Sequence, residues 1–188
     1  MEENKIIAYV KSVLENAPQA WIDLTTHRLD IYEEKLAKTQ FLEQFESLFK
    51  QNILDTKSLS ELPTAYDYIR LGHPLSSVLE WTIANLNNLK SDQVISFSSN
   101  TIPILAILRK NLLDNKKTQI TYTGKLPDSF DADLLHTVYG YSFELKKVKS
   151  IEEVETFDGS NIFISQKEDI GNFDLNINVD FIIESYPN

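Results

Sequence analysis

Ile102-Pro103-Ile104-Leu105-Ala106-Ile107-Leu108-Arg109-Lys110-Asn111-Leu112-Leu113, followed shortly by Gln119-Ile120-Thr121-Tyr122, decides the fold class. Ile104, Leu105, Leu108 and Leu112 recur at three- and four-residue steps, the period of a helix with one apolar face. Pro103 falls in the first turn, where its missing N–H costs nothing. The run Gln119–Tyr122 then reads as a short strand. A helix that feeds a short apolar strand is half of a parallel α/β repeat.

The same alternation continues on both sides. Upstream, Ser76 is placed to cap a helix carrying Leu79, Ile83, Leu86 and Leu89, and Gln93-Val94-Ile95-Ser96-Phe97 reads as a strand. Downstream, a helix is expected near Phe130–Tyr139, ended by Gly140. Strands are expected at Phe143–Leu145, Asn161–Ile164 and Phe181–Glu184. Short apolar strands of this kind belong in a sheet with helices on both faces. The expected fold is α/β: a three-layer α/β/α, mostly parallel sheet preceded by an N-terminal helical arm.

The arm covers residues 1–57 and the α/β domain residues 58–188. In the arm, Ile6, Ile7, Val10, Val13 and Leu14 keep helical period, and Asn16-Ala17-Pro18 breaks it. Leu29, Tyr32, Leu36, Phe41, Leu42, Phe45, Leu48 and Phe49 form a second apolar stripe, read as core. The polar stretch Asp55–Thr64 reads as the linker between the two parts.

Composition excludes several classes. The 188 residues carry a net charge of −10 with no Lys/Arg cluster, so nucleic acid is not an expected partner. No window reaches the ~18 continuous apolar residues of a membrane span. The acidic start Met1-Glu2-Glu3-Asn4-Lys5 is unlike a secretory signal, and the cytoplasm is the expected compartment. Cysteine is absent, and the 3 His stand far apart, so no metal site is expected. Residues 150–188 hold Glu152, Glu153, Glu155, Asp158, Glu168, Asp169, Asp174, Asp180 and Glu184 against Lys167 alone, the pattern of a solvated acidic face.

Two segments carry candidate chemistry. Ser98, Ser99 and Asn100 sit between an expected strand and a helix, where free backbone N–H groups and short hydroxyls hold an anion. The same residue types also serve as plain helix caps. Tyr68 and Arg70, in Tyr66-Asp67-Tyr68-Ile69-Arg70-Leu71-Gly72-His73-Pro74, offer a hydroxyl and a planar guanidinium to phosphate or carboxylate.

Taken together, Tyr68-x-Arg70-x-Gly72-His73-Pro74, a helix with Leu79-Glu80, and Phe97-Ser98-Ser99 resemble the pyridoxal-phosphate (PLP) enzymes of cysteine and methionine trans-sulfuration, the cystathionine synthases and lyases among them. The stretch Phe181–Asn188 is similar to the family strand that ends in Glu-Ser-Pro-Ser-Asn-Pro. The likeness spans about residues 60 to 188. It implies that Tyr68 and Arg70 reach the PLP phosphate of a neighbouring subunit, and that Ser98, Ser99 and Asn100 form the phosphate turn of their own. It also implies a homo-oligomer, or a hetero-oligomer with a full-length PLP enzyme.

The departures are specific. His73 stands in place of the family Asn, Leu75 in place of Thr, and Asn100 in place of Gly. No aromatic occupies Leu126, Pro127 or Asp128, where the family stacks a ring on the cofactor. The family's Schiff-base Lys and pyridinium-pairing Asp fall past residue 188, so no catalytic residue is assigned. The expectation is a truncated, non-catalytic PLP-transferase-like protein with a structural or regulatory role, touching PLP through phosphate contacts only. Half of a split PLP enzyme and a small-molecule or phosphate-binding α/β domain are the alternatives.

Overall fold

The computed structural model describes residues 2–22, 39–63, 73–168 and 173–186. The chain divides into two compact units, Met1–Ser96 and Phe97–Asn188.

In the first unit the described residues form helices α1 (Glu2–Glu15), α2 (Gln19–Ile22), α3 (Phe41–Gln51), α4 (Thr56–Ser60) and α5 (Pro74–Leu86). α1 stops before Asn16-Ala17-Pro18, where the break is expected. Its core joins Ile6, Tyr9 and Val13 to Phe41, Phe45, Leu59, Val78 and Trp81. Aromatic edges bind it: Phe45 meets Trp81 at 5.2 Å and 85°, a favoured edge-to-face geometry. The Trp81 indole N–H reaches Glu46 Oε2 at 2.6 Å, which satisfies its buried donor.

Three expectations change here. The described part of the expected linker Asp55–Thr64, residues 55–63, is not a linker: Asp55 caps α4 by accepting the Ser58 N–H at 3.0 Å, and Leu59 is fully buried. The unit boundary therefore falls at 96/97 rather than 57/58, because α4 and α5 share the core of α1 and α3. The cap of α5 is His73, not Ser76, with Nδ1 accepting the Leu75 N–H at 3.2 Å.

Val94–Phe97 is not a strand. A 3-10 turn, Ser91–Gln93, leads into it, and Ile95 is 63% exposed. The buried Glu80 carboxylate instead ties Ser96 back to α5, accepting its N–H at 2.7 Å and its hydroxyl at 2.9 Å.

The second unit holds α6 (Ile102–Leu113), β1 (Thr118–Tyr122), α7 (Ala132–Thr137), β2 (Glu144–Lys147), β3 (Ser160–Gln166) and β4 (Phe181–Ser185). All four strands pair in parallel, in the order β2-β1-β3-β4. Register sets Ile120 beside Ile162, and Ile164 beside Ile183, on one face. Ile104 and Leu108 of α6 and Leu135 of α7 cover that face. Phe163 and Ile182 point to the other face, where Val148, Ile151, Val154 and Val179 cover them. Among the described residues of this unit, that second cover is a 3-10 turn (Ile151–Glu153) and loops, where a helical layer was expected.

The order follows from handedness. Right-handed crossovers on opposite faces carry the chain in opposite directions from β1. α7 on one face leads to β2; the 151–153 turn on the other leads back across β1 to β3. Entry to β3 needs Gly159, because a Cβ there would sit 2.5 Å from the Lys117 carbonyl oxygen.

Candidate functional site

The reversal of direction between β1 and β3 makes a switch point, and open parallel sheets bind ligands outside the carboxyl ends of the strands at such a point. α6 reaches β1 through the short turn 114–117 and so runs antiparallel to it. Asn111 pins this turn, its Nδ2 donating to Thr118 Oγ1 at 3.0 Å. The 12 residues of α6 are about as long as β1, at ~1.5 Å per helical and ~3.3 Å per strand residue. The N-terminus of α6 therefore lies at the carboxyl edge of the sheet.

Ser98, Ser99 and Asn100 form that N-terminus. Ser99 Oγ accepts the N–H groups of Thr101 and Ile102, both at 3.3 Å, and lies 3.3 Å from Thr101 Oγ1. These bonds are long for N–H···O. Thr101 holds the N-cap position and its own side chain caps nothing, so the Ser99 hydroxyl serves these N–H groups from two residues upstream; Ser98 and Asn100 beside it are exposed. Two hydroxyls and the positive helix end leave this turn suited to an anion. Tyr68 and Arg70 lie outside the described residues.

The exit of β1 offers less. Thr123 N–H extends the ladder to the Ile164 carbonyl at 3.0 Å, and Gly124 follows at φ +63°. Asp131 caps α7, accepting the Leu134 N–H at 2.9 Å, and its carboxylate repels a second anion there. Phe130 packs edge-on against Phe143 at 5.9 Å in the core, so it is not available to stack on a cofactor ring. The residues present thus fit a phosphate group at α6 and do not fit an aromatic ring at 126–128.

The sequence missed the most organised polar cluster. Lys167, just past β3, places Nζ 2.8 Å from Glu184 Oε1 and 3.3 Å from Asp174 Oδ2. The Glu184 side chain is only 3% exposed, and its Oε2 accepts the Tyr186 hydroxyl at 2.6 Å. Burial pulls the Lys167 ammonium toward neutrality, but Glu184 and then Asp174 more than reverse this and hold it above its ordinary value. Burial, then the Glu184 hydrogen bond and charge, push the Tyr186 hydroxyl up. The only signal in the sequence was a single Lys in an acidic stretch.

Among the described residues no group of His, Asp and Glu is placed to hold a metal, and no helix is long and apolar enough to cross a membrane. Comparisons with family models, curated proteins and solved structures find no match for this chain.

Proposed function

We propose that the chain is a PLP-transferase-like protein that binds a phosphate group at the Ser98-Ser99-Asn100 turn and acts as a structural or regulatory subunit rather than as a catalyst. The observation that carries this reading is the placement of that turn at the carboxyl edge of a parallel sheet, the edge at which such sheets bind their ligands. Backbone N–H groups and hydroxyls do the binding, which suits a chain of net charge −10. When bound, PLP supplies an electron sink; this chain's contribution would be to hold its phosphate. Lys167 is engaged by Glu184 and Asp174, which argues against its serving as a Schiff-base amine.

In an oligomer with a full-length trans-sulfuration enzyme, Tyr68 and Arg70 would reach the partner's PLP phosphate. The missing ring-stacking aromatic favours a second reading, a phosphate-binding α/β domain whose ligand lacks the pyridine ring.

Calorimetric titration with PLP, pyridoxal and inorganic phosphate, with and without a full-length trans-sulfuration enzyme, tests these readings. PLP and phosphate should compete for one site while pyridoxal fails to bind, and the chain should co-purify with the enzyme and change its activity. Phosphate binding without association selects the second reading. Absence of both overturns the proposal.

A further inference from the structure

Among the described residues the strand most open to solvent is β2, at one edge of the sheet. Among the described residues it pairs with β1 alone. The Val148 N–H donates to the Tyr122 carbonyl at 3.0 Å, so Val148, Lys146 and Glu144 turn their main-chain groups toward β1. Leu145 and Lys147 therefore turn theirs outward, as the alternation within a strand requires. Leu145 is 44% exposed and Glu144 and Lys147 are exposed too.

Lysines at an edge ordinarily discourage indiscriminate pairing. Here they select a register. An antiparallel pair of β2 strands about a two-fold axis normal to the sheet keeps like faces together. If the axis passes through Leu145, Leu145 meets Leu145 of the second copy through their outward main-chain groups. Glu144 then lies opposite Lys146 of the second copy, twice over. A shift to the Lys146 axis sets Lys146 against Lys146, and a shift to the Glu144 axis sets Glu144 against Glu144. Directly opposed like charges destabilise a pair and opposite charges support it. One of the three neighbouring registers is thus self-complementary.

A four-residue strand pair buries too little for a stable interface, which needs ~1,200 Å² or more. The crossover onto β2 adds apolar area beside it. Leu134, Val138 and Tyr139, in α7 and just after it, are about half exposed or more. His136 of α7 stacks on Phe143 at 4.2 Å, which holds the helix against the approach to β2.

We propose that a second copy of this chain docks on β2, antiparallel and centred on Leu145, so that the two sheets become one. This inference stands apart from the phosphate reading, and its test uses no phosphate ligand. Sedimentation of the full chain should show a concentration-dependent dimer. Glu144→Lys and Lys146→Glu should each weaken it by about tenfold or more, since each opposes like charges at two positions. Glu144 makes the cleaner variant, because Lys146 also pairs with Glu155. An equimolar mixture of the two variants should restore the dimer as a heterodimer, and so should the double variant. A wild-type chain that stays monomeric, a dimer that neither variant weakens, or a mixture that fails to associate overturns the proposal.

Discussion

Lys167 Nζ and Glu184 Oε1 close to 2.8 Å at the carboxyl ends of β3 and β4. The Glu184 carboxylate is nearly sealed from solvent, and its second oxygen is held by the Tyr186 hydroxyl. A buried carboxylate is tolerated only when both oxygens are answered in this way.

Removal of one partner should therefore cost more than removal of both. Lys167→Met leaves Glu184 buried with one hydrogen bond and should lower stability by about 2 kcal/mol, less than the ~3–5 kcal/mol for breaking a fully buried pair because Lys167 is partly exposed. Adding Glu184→Gln to that variant should recover part of the loss. Urea unfolding of the two single variants and the double variant reads the coupling; simple additivity would mean that the pair is not coupled.

His73 links stability to pH. Its Nδ1 accepts the Leu75 N–H, which requires a neutral ring. Burial lowers its pKa from 6.5, against a smaller opposing pull from the Trp21 backbone. A group whose folded pKa is depressed contributes its full stability above the unfolded pKa and loses it as pH falls through the folded one. Stability should therefore decline as pH drops below about 6.5. His73→Asn keeps an N-cap acceptor and does not titrate, so its unfolding midpoint should show a shallower decline over that window.

Leu59 tests the unit boundary. It is fully buried among Tyr9, Phe45 and Trp81 in the first unit's core. Leu59→Ala should destabilise that core by about 2–5 kcal/mol, with hydrogen exchange speeding up in α1, α3 and α5 and staying unchanged in β1 and β3. Protection that is unaltered in α1 and α3 would return residues 55–64 to a linker role.

Where burial is periodic the sequence reads well. Ile104 and Leu108 mark the buried face of α6, and Ile120, Ile162 and Ile183 mark the strands, because each lies in a local pattern. The misses arise where tertiary contacts overrule local pattern. Val94–Phe97 has strand composition, yet Glu80, remote in sequence, claims the Ser96 main chain. Asp55–Thr64 has linker composition, but its Asp55–Ser58 cap turns Leu59 inward. Ser99 was legible as a cap or as an anion turn, since both roles draw on one hydroxyl. Glu184 was unreadable as buried, because its partner arrives from the end of another strand.

An anion held at the α6 turn would be sensitive to charge at Asn100, and the variant to make is Asn100→Asp. A carboxylate in this position suits the helix dipole, so α6 should keep or gain stability, by a few tenths of a kcal/mol. The same charge should repel a phosphate group. Calorimetry with inorganic phosphate and PLP on wild type and Asn100→Asp should show binding in the first and at least a tenfold loss in the second, with thermal stability maintained. Equal affinity in both proteins, or no binding by wild type, would mean that the α6 turn holds no phosphate.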